Sequence, residues 1–109
     1  MFTVVNEPTF RHDIDIHEPV DGGHRIQKLN VTFRLVPEED GDEEIAMSDE
    51  QIKDHLRRRI VCFNDLGDEK GNPLPYNDEI REQLLARQDV RLGLIRGYAK
   101  AVTKGATGN

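Results

Sequence analysis

The sequence predicts an α+β fold, in which an N-terminal antiparallel β-meander or hairpin is followed by three helices. Before Pro37, apolar and polar residues alternate with the period of strands that have one buried face and one wet face. After Ser48, apolar residues recur at the 3.6-residue spacing of amphipathic helices. A chain of 109 residues suits one core, so we expect a single domain over residues 1–104 and a flexible tail over residues 105–109.

The β part is organised around one hairpin. Phe2 alternates with Val4, which extends the β pattern to the N-terminus. The sequence Asp21–Gly23 supplies the positive φ angles of a hairpin turn. Ile26 is out of phase with the apolar residues that follow it, which predicts a β-bulge near Gln27–Lys28. The apolar faces of the two strands are Phe10, Ile14 and Ile16, and then Leu29, Val31, Phe33 and Leu35.

Capping signals mark the starts of the three helices. Ser48 and Gln51 form a capping box for a first helix that is expected to end at Val61–Phe63. Asn77 caps a short second helix, and Asp89 caps the last one. The apolar stripes are Ile52, Leu56, Ile60 and Phe63 in the first helix, Ile80, Leu84 and Leu85 in the second, and Val90, Leu94, Tyr98 and Ala101 in the third.

Two segments between these elements are expected to be irregular. Residues 38–44 contain six acidic side chains and one glycine, a run that repels itself. Residues 64–76 contain two glycines and two prolines, which we expect to exclude regular structure. The main core is then expected to comprise Leu29, Val31, Phe33, Leu35, Ile52, Leu56, Ile60, Leu84, Leu94 and Tyr98.

Composition argues against several classes of partner. The net charge of −6 disfavours general nucleic-acid binding and binding to anionic membranes, although a cationic protein surface remains a suitable partner. The single cysteine, Cys62, offers no internal disulfide and no zinc finger, and a reducing cytosol is the natural compartment. Residues 1–8 lack a secretory signal, and no apolar run approaches the length of a membrane span.

No catalytic constellation stands out, and we expect no metal and no cofactor. Asp13, Asp15 and His17 share one strand face with His24 across the hairpin, which leaves a divalent-metal site and a solvated strand face as alternatives. A calcium loop starting at Asp65 fits poorly, because apolar residues and glycine fall at ligand positions.

Small residues recur at every fourth position of the last helix, at Gly93, Gly97 and Ala101. Arginines in the same helix exclude a membrane setting for this pattern. In water, a small stripe allows another element to approach closely. That element is either the meander of the same domain or a second subunit, and packing within the domain is the commoner outcome.

The order of these features resembles the small tail assembly chaperones encoded by long-tailed bacteriophages and prophages. The resemblance covers the chain from about Phe10 to Ala101. Phe63 stands where relatives often carry tryptophan, and residues 64–66 lack a glycine that is often found there. The features that carry the resemblance are, in order, Val31–Pro37, the acidic segment, Val61–Phe63, Asp68–Tyr76 with its Gly-Asn-Pro-Leu-Pro-Tyr sequence, Leu84–Leu85 and Tyr98–Ala101.

The resemblance implies a soluble helper in the cytoplasm of the host bacterium. Such proteins bind the tape measure protein, keep it competent for tail tube polymerisation, and are absent from the finished virion. Many also have a frameshifted longer form that recruits tail tube protein. Two alternatives remain beside this function: a structural tail component, such as a small tube or connector subunit, and a metal-dependent enzyme that uses the hairpin face.

The resemblance also directs attention to apolar side chains that would bind a client. Phe63, Leu66, Leu74 and Tyr76 lie in or beside the Pro-rich segment and cannot all belong to a helix core. We expect them either to contact the client or to pin this segment to the domain. Gly93, Gly97 and Ala101 are the second candidate contact, and self-association through them is open.

Overall fold

Two long strands and a short third one form an antiparallel sheet in chain order, the first and last helices pack on this sheet, and the second helix packs on the last one. The computed structural model describes residues 1–37 and 48–103. The α+β prediction is confirmed, whereas the predictions for residues 38–44 and for the tail at 105–109 lie outside the described residues. The elements are β1 Thr9–Val20, β2 Gly23–Arg34, α1 Asp49–Arg59, β3 Ile60–Asn64, β4 Leu66–Gly67, β5 Pro73–Leu74, α2 Asp78–Leu85 and α3 Gln88–Thr103.

The alternating sequence folds into a regular hairpin. β1 and β2 pair without interruption from Thr9 opposite Arg34 to Val20 opposite Gly23. Gly22 adopts a φ of +78° in the turn, a conformation that glycine reaches without a steric penalty. One face of the hairpin is buried and the other is exposed, as the alternation predicts.

The bulge predicted near Gln27–Lys28 is wrong. The hairpin pairing is continuous there, and Ile26 is out of phase because its side chain faces solvent and is 55% exposed. The register shifts elsewhere, between Thr32 and Phe33, where β2 pairs with β3.

The β pattern at the N-terminus does not form a strand. Residues 1–5 pair with no strand of the described chain, and Phe2 and Val4 are 88% and 87% exposed. Alternation alone is insufficient, because a strand requires a neighbour to satisfy its backbone groups. At the same open end of the hairpin, β2 stops at Arg34, opposite Thr9, although the Leu35 amide still donates to the Pro8 carbonyl at 2.9 Å.

The first helix is shorter than predicted. Its capping box at Ser48 is confirmed, but α1 ends at Arg59 and the chain enters β3 at once through Ile60, with φ −94° and ψ 122°. β-branched and aromatic residues after Arg59 favour the extended chain. Ile60 and Phe63 are both buried because the register shift against β2 changes which side chains face the core.

The segment 64–76 is also more regular than predicted. β4 and β5 form a two-stranded ladder that pairs Leu66 with Leu74 and Gly67 with Pro73. Asn77 caps α2 as predicted, and its side chain accepts from the Ile80 amide at 2.8 Å.

The last helix begins one residue earlier than predicted. Because α3 starts at Gln88, Asp89 lies within its first turn and is not the N-cap. The Asp89 carboxylate accepts from the Val90 amide at 2.9 Å and therefore still lies at the positive end of the helix.

The core lies between the inner face of the sheet and the helices. Most of the predicted core residues are buried. Three others, Ile52, Leu84 and Tyr98, lie at the margin of the core. The prediction for Leu35 is wrong, because its side chain is 43% exposed beyond the end of β2. The buried apolar residues are Ile14, Ile16, Leu29, Val31, Phe33, Leu56, Ile60, Phe63, Leu85, Val90 and Leu94.

Candidate partner-binding surface

The stripe of small residues on α3 packs against β1 of the same chain. A Cβ atom placed on Gly93 would lie 2.5 Å from Ile16 Cδ1 and 2.9 Å from the Asp15 carbonyl oxygen. A Cβ on Gly97 would meet the side chain of Ile14 still more closely. Of the two alternatives, the element that approaches Gly93 and Gly97 is therefore the meander. Ala101, the third member, is partly buried.

Three of the four apolar candidates in the Pro-rich segment pack against the domain. Phe63 is 2% exposed, and its ring meets the edge of the Tyr76 ring with centroids 5.7 Å apart. Leu66 and Tyr76 are partly buried against the core, and this burial raises the pKa of the Tyr76 hydroxyl. Only Leu74, at 37% exposure, presents a mainly open side chain. The contacts favour pinning of the segment over client binding by all four residues.

A carboxylate organises the turn between β4 and β5. Asp68 accepts from the backbone amides of Lys70 and Asn72, both at 2.9 Å. These bonds hold the pKa of the Asp68 carboxyl below its usual value, and the bond from the Asn72 amide has the largest effect on this pKa. Gly71 has a φ of +83°, which closes the turn. The Asp68 oxygens are thus engaged by the backbone.

The hairpin carboxylates that were candidate metal ligands are engaged by neighbouring strands. Lys28 forms an ion pair with Asp15, and the Asn30 amide donates to Asp13 at 2.6 Å. His17 and His24 occupy different levels of the hairpin, opposite Ile26 and Pro19. Within residues 1–37 and 48–103, no group of three or more His, Cys, Asp or Glu residues is placed to hold a metal ion.

Arg59 joins α1 to α3 and is the only buried charged side chain in the described part of the chain. It donates from Nη1 to the His55 carbonyl at 3.0 Å, and its guanidinium lies 5.3 Å from the centre of the Tyr98 ring. The Tyr98 ring in turn meets the edge of Phe33 at 5.4 Å, and Tyr98 Oη accepts from the Val36 amide at 3.3 Å. The apolar spacing of the first helix in the sequence does not mark this arginine as buried.

A second ionic contact joins α1 to α2. Arg57 Nε donates to both carboxylate oxygens of Glu82, at 3.0 and 3.2 Å. This contact, together with a smaller contribution from Arg81, lowers the pKa of the Glu82 carboxyl to about 2 from a usual 4.5. It also raises the pKa of Arg57. Because Glu82 is 42% exposed, we expect the pair to contribute less than about 1 kcal/mol.

The Arg57–Glu82 pair predicts a specific pH dependence of stability. The folded-state pKa is depressed, so the contribution is complete above pH 4.5 and is lost as the pH falls towards 2. The difference in unfolding free energy between the wild type and Glu82→Gln should therefore shrink over this range in urea titrations. Glu79→Gln is the control, because Glu79 forms no ion pair with a described residue. A constant difference for Glu82→Gln would contradict the assignment.

A surface cleft of about 720 Å³ lies between the end of the hairpin and the start of α3. Glu18 in its wall is already bound by Arg25 and Arg87, and Arg87 is also bound by Asp89. Glu18, Arg87 and Asp89 therefore neutralise one another, whereas Arg96 in the same cleft forms no ion pair with a described residue. No serine or cysteine nucleophile of the described chain lines the cleft.

The outer face of α3 is the feature that sequence reasoning missed. Leu92, Ile95 and Val102 are 44%, 38% and 44% exposed, and Ala99 between them is also exposed. We call these four residues the outer stripe. Their spacing is visible in the sequence, but the inner apolar residues of the same helix obscure it. An exposed apolar line of this kind is suited to binding another helix.

Comparisons with known proteins add no relative: no protein-family model, no curated protein and no solved structure matches the chain. Among the helices formed by residues 48–103, none combines the length and the apolar character that crossing a membrane requires.

Proposed function

We propose that the protein is a phage tail assembly chaperone, which binds the tape measure protein and aids tail tube assembly without catalysing a reaction. The observation that carries this proposal is the ordered set of features from Val31–Pro37 to Tyr98–Ala101, which we call the signature. In this proposal the protein acts in the cytoplasm of the host bacterium, also meets the tail tube protein, and leaves before the virion is complete.

The packing of the signature residues supports the proposal. Phe33 and Tyr98 lie at opposite ends of the signature and meet at 5.4 Å, while Phe63 and Tyr76 meet at 5.7 Å. Residues that are widely separated in sequence thus belong to one core, so the packing of this chain constrains their order and spacing. A resemblance based on such residues is more specific than one based on surface composition.

The distribution of apolar and polar groups also favours binding over catalysis. The carboxylates near the hairpin are paired with basic or amide side chains. The outer stripe, in contrast, leaves large apolar side chains in contact with solvent on a regular helix. A surface of this type shields apolar segments of another protein, which is the task of an assembly chaperone.

Co-expression provides the direct test. The tagged protein, expressed with the long helix-rich protein encoded beside its gene, should co-purify with it and increase its soluble fraction. Size-exclusion chromatography with mass analysis of the complex measures both results. Failure of the wild type to capture this protein, together with stoichiometric retention in purified particles, would instead indicate a structural tail component.

Leu74→Asp tests the Pro-rich segment within the same assay. The Leu74 side chain is 37% exposed, so the substitution should leave the fold intact. We expect client capture to be unchanged, because the other apolar residues of the segment pack against the domain. Loss of capture with a native circular dichroism spectrum would restore this segment as a contact surface.

A further inference from the structure

The outer stripe has the spacing of a coiled-coil seam. Its members follow one another at intervals of three, four and three residues, so Leu92 and Ala99 occupy heptad position a, and Ile95 and Val102 occupy position d. Gly93 and Gly97, on the inner side of the helix, pack against β1. α3 therefore has two apolar faces, and no described element packs over the outer one.

One border of the outer stripe is cationic. Arg96 and Lys100 are exposed, lie one helical turn apart, and form no ion pair within 4 Å with a described residue. Asp13 and Asp15 line the same groove, and the charge of Lys100 acts on Asp15 without direct contact. Most other arginines of the described chain bind carboxylates, as Arg57 and Arg87 do. In a chain with a net charge of −6, this unpaired border is a local departure from the acidic surface.

The charges also identify the kind of helix that fits. In an antiparallel pair of two α3 helices, Arg96 would face Arg96 of the second copy, which opposes like charges. In a parallel pair it would lie nearest Arg91, whose side chain is only 11% exposed and donates to the Leu85 carbonyl. Neither arrangement gives Arg96 an anionic partner. A helix with glutamate or aspartate beside its apolar seam would instead pair with Arg96 at position e, with Lys100 further out at position b.

We propose that the outer stripe is a docking site for an acidic amphipathic helix of a partner protein. The partner's apolar seam packs on Leu92, Ile95 and Val102. Its acidic border meets Arg96, and Lys100 adds positive charge one turn further along. The identification of this partner helix as part of the tape measure protein rests on the proposed function, whereas the specificity for acidic helices does not.

A pair of synthetic helices tests the specificity. Both peptides span about three heptads with Leu at positions a and d, and they differ only in carrying Glu or Lys at positions e and g. By fluorescence anisotropy, the wild-type protein should bind the Glu peptide at least about tenfold more tightly than the Lys peptide. The net charge of −6 alone would favour the Lys peptide, so a preference for Lys or no preference overturns the proposal.

Matched variants locate the site. Ile95→Ser should weaken binding of the Glu peptide at least about tenfold, whereas Leu74→Ser, at a similarly exposed position outside α3, should not. Arg96→Glu should reduce or reverse the preference between the peptides, and Lys70→Glu, on the β4–β5 turn, should not. Equal effects of each variant and its control overturn the proposal.

Further outcomes distinguish a second copy of this chain from the tape measure protein as the occupant of the outer stripe. A wild-type dimer in sedimentation velocity that Ile95→Ser converts to monomer would assign the stripe to a second copy and overturn the proposal. Capture of the tape measure protein that is unchanged by Ile95→Ser would reject that protein as the occupant of the outer stripe while leaving the chaperone function intact. Binding of the Glu peptide without capture of the tape measure protein would support the site and reject that function.

Discussion

Phe33→Ala should reduce the free energy of unfolding by about 3–5 kcal/mol. Phe33 is fully buried, and its ring contacts those of Phe10 and Tyr98 at centroid distances of 5.4 Å. Truncation removes apolar burial and aromatic contacts at the point where the sheet meets α3. Urea denaturation followed by circular dichroism measures the change.

Leu35→Ala is the matched control, because Leu35 is two residues further along and is 43% exposed. The sequence alternation places both residues in the core, so the pair distinguishes the observed end of β2 from the predicted one. We expect a cost below about 1 kcal/mol for Leu35→Ala. Similar losses for the two variants would mean that the hairpin continues past Arg34.

Gly93→Val should cost about 2–3 kcal/mol. The new side chain would collide with Ile16 Cδ1 and with the Asp15 carbonyl oxygen, and the backbone atom cannot move without disturbing β1. The small gain in helix propensity from replacing glycine is insufficient to offset this clash. The loss should appear as a lower urea midpoint with an unchanged slope.

Ala99→Val adds bulk to the same helix on its exposed side and should cost only about 0.5 kcal/mol, through helix propensity alone. A Gly93→Val variant as stable as Ala99→Val would show that α3 does not pack against β1 through this residue. It would also reopen the choice between the meander and a second subunit.

Local signals predicted much of the fold correctly. The capping box at Ser48, the cap at Asn77 and the turn at Gly22 each depend on a few neighbouring residues, and all three are present. The end of α1 was not predictable in this way. Ile60 and Phe63 continue the helical spacing of Leu56, yet they belong to a strand whose register shift buries both. Pairing with β2, a distant segment, decides between the two states.

The candidate surface was predicted less well, because burial depends on tertiary contacts. The sequence correctly marks Gly93 and Gly97 as a site of close approach but does not identify the approaching element. Phe63 and Tyr76 are suitable for binding a client by composition, and instead they bind each other. The outer stripe becomes recognisable only when the inner face of α3 is known to be occupied.

α1 leads directly into β3, so no hinge lies between the helix and the strand. With Arg59 the last helical residue and Ile60 the first of the strand, no flexible residue separates the two elements. The helix therefore cannot pivot away while the strand remains paired, and its last turn and β3 should open together as one cooperative unit in hydrogen exchange. A force applied to α1 would be transmitted to β3, the edge strand of the sheet, rather than absorbed by a loop.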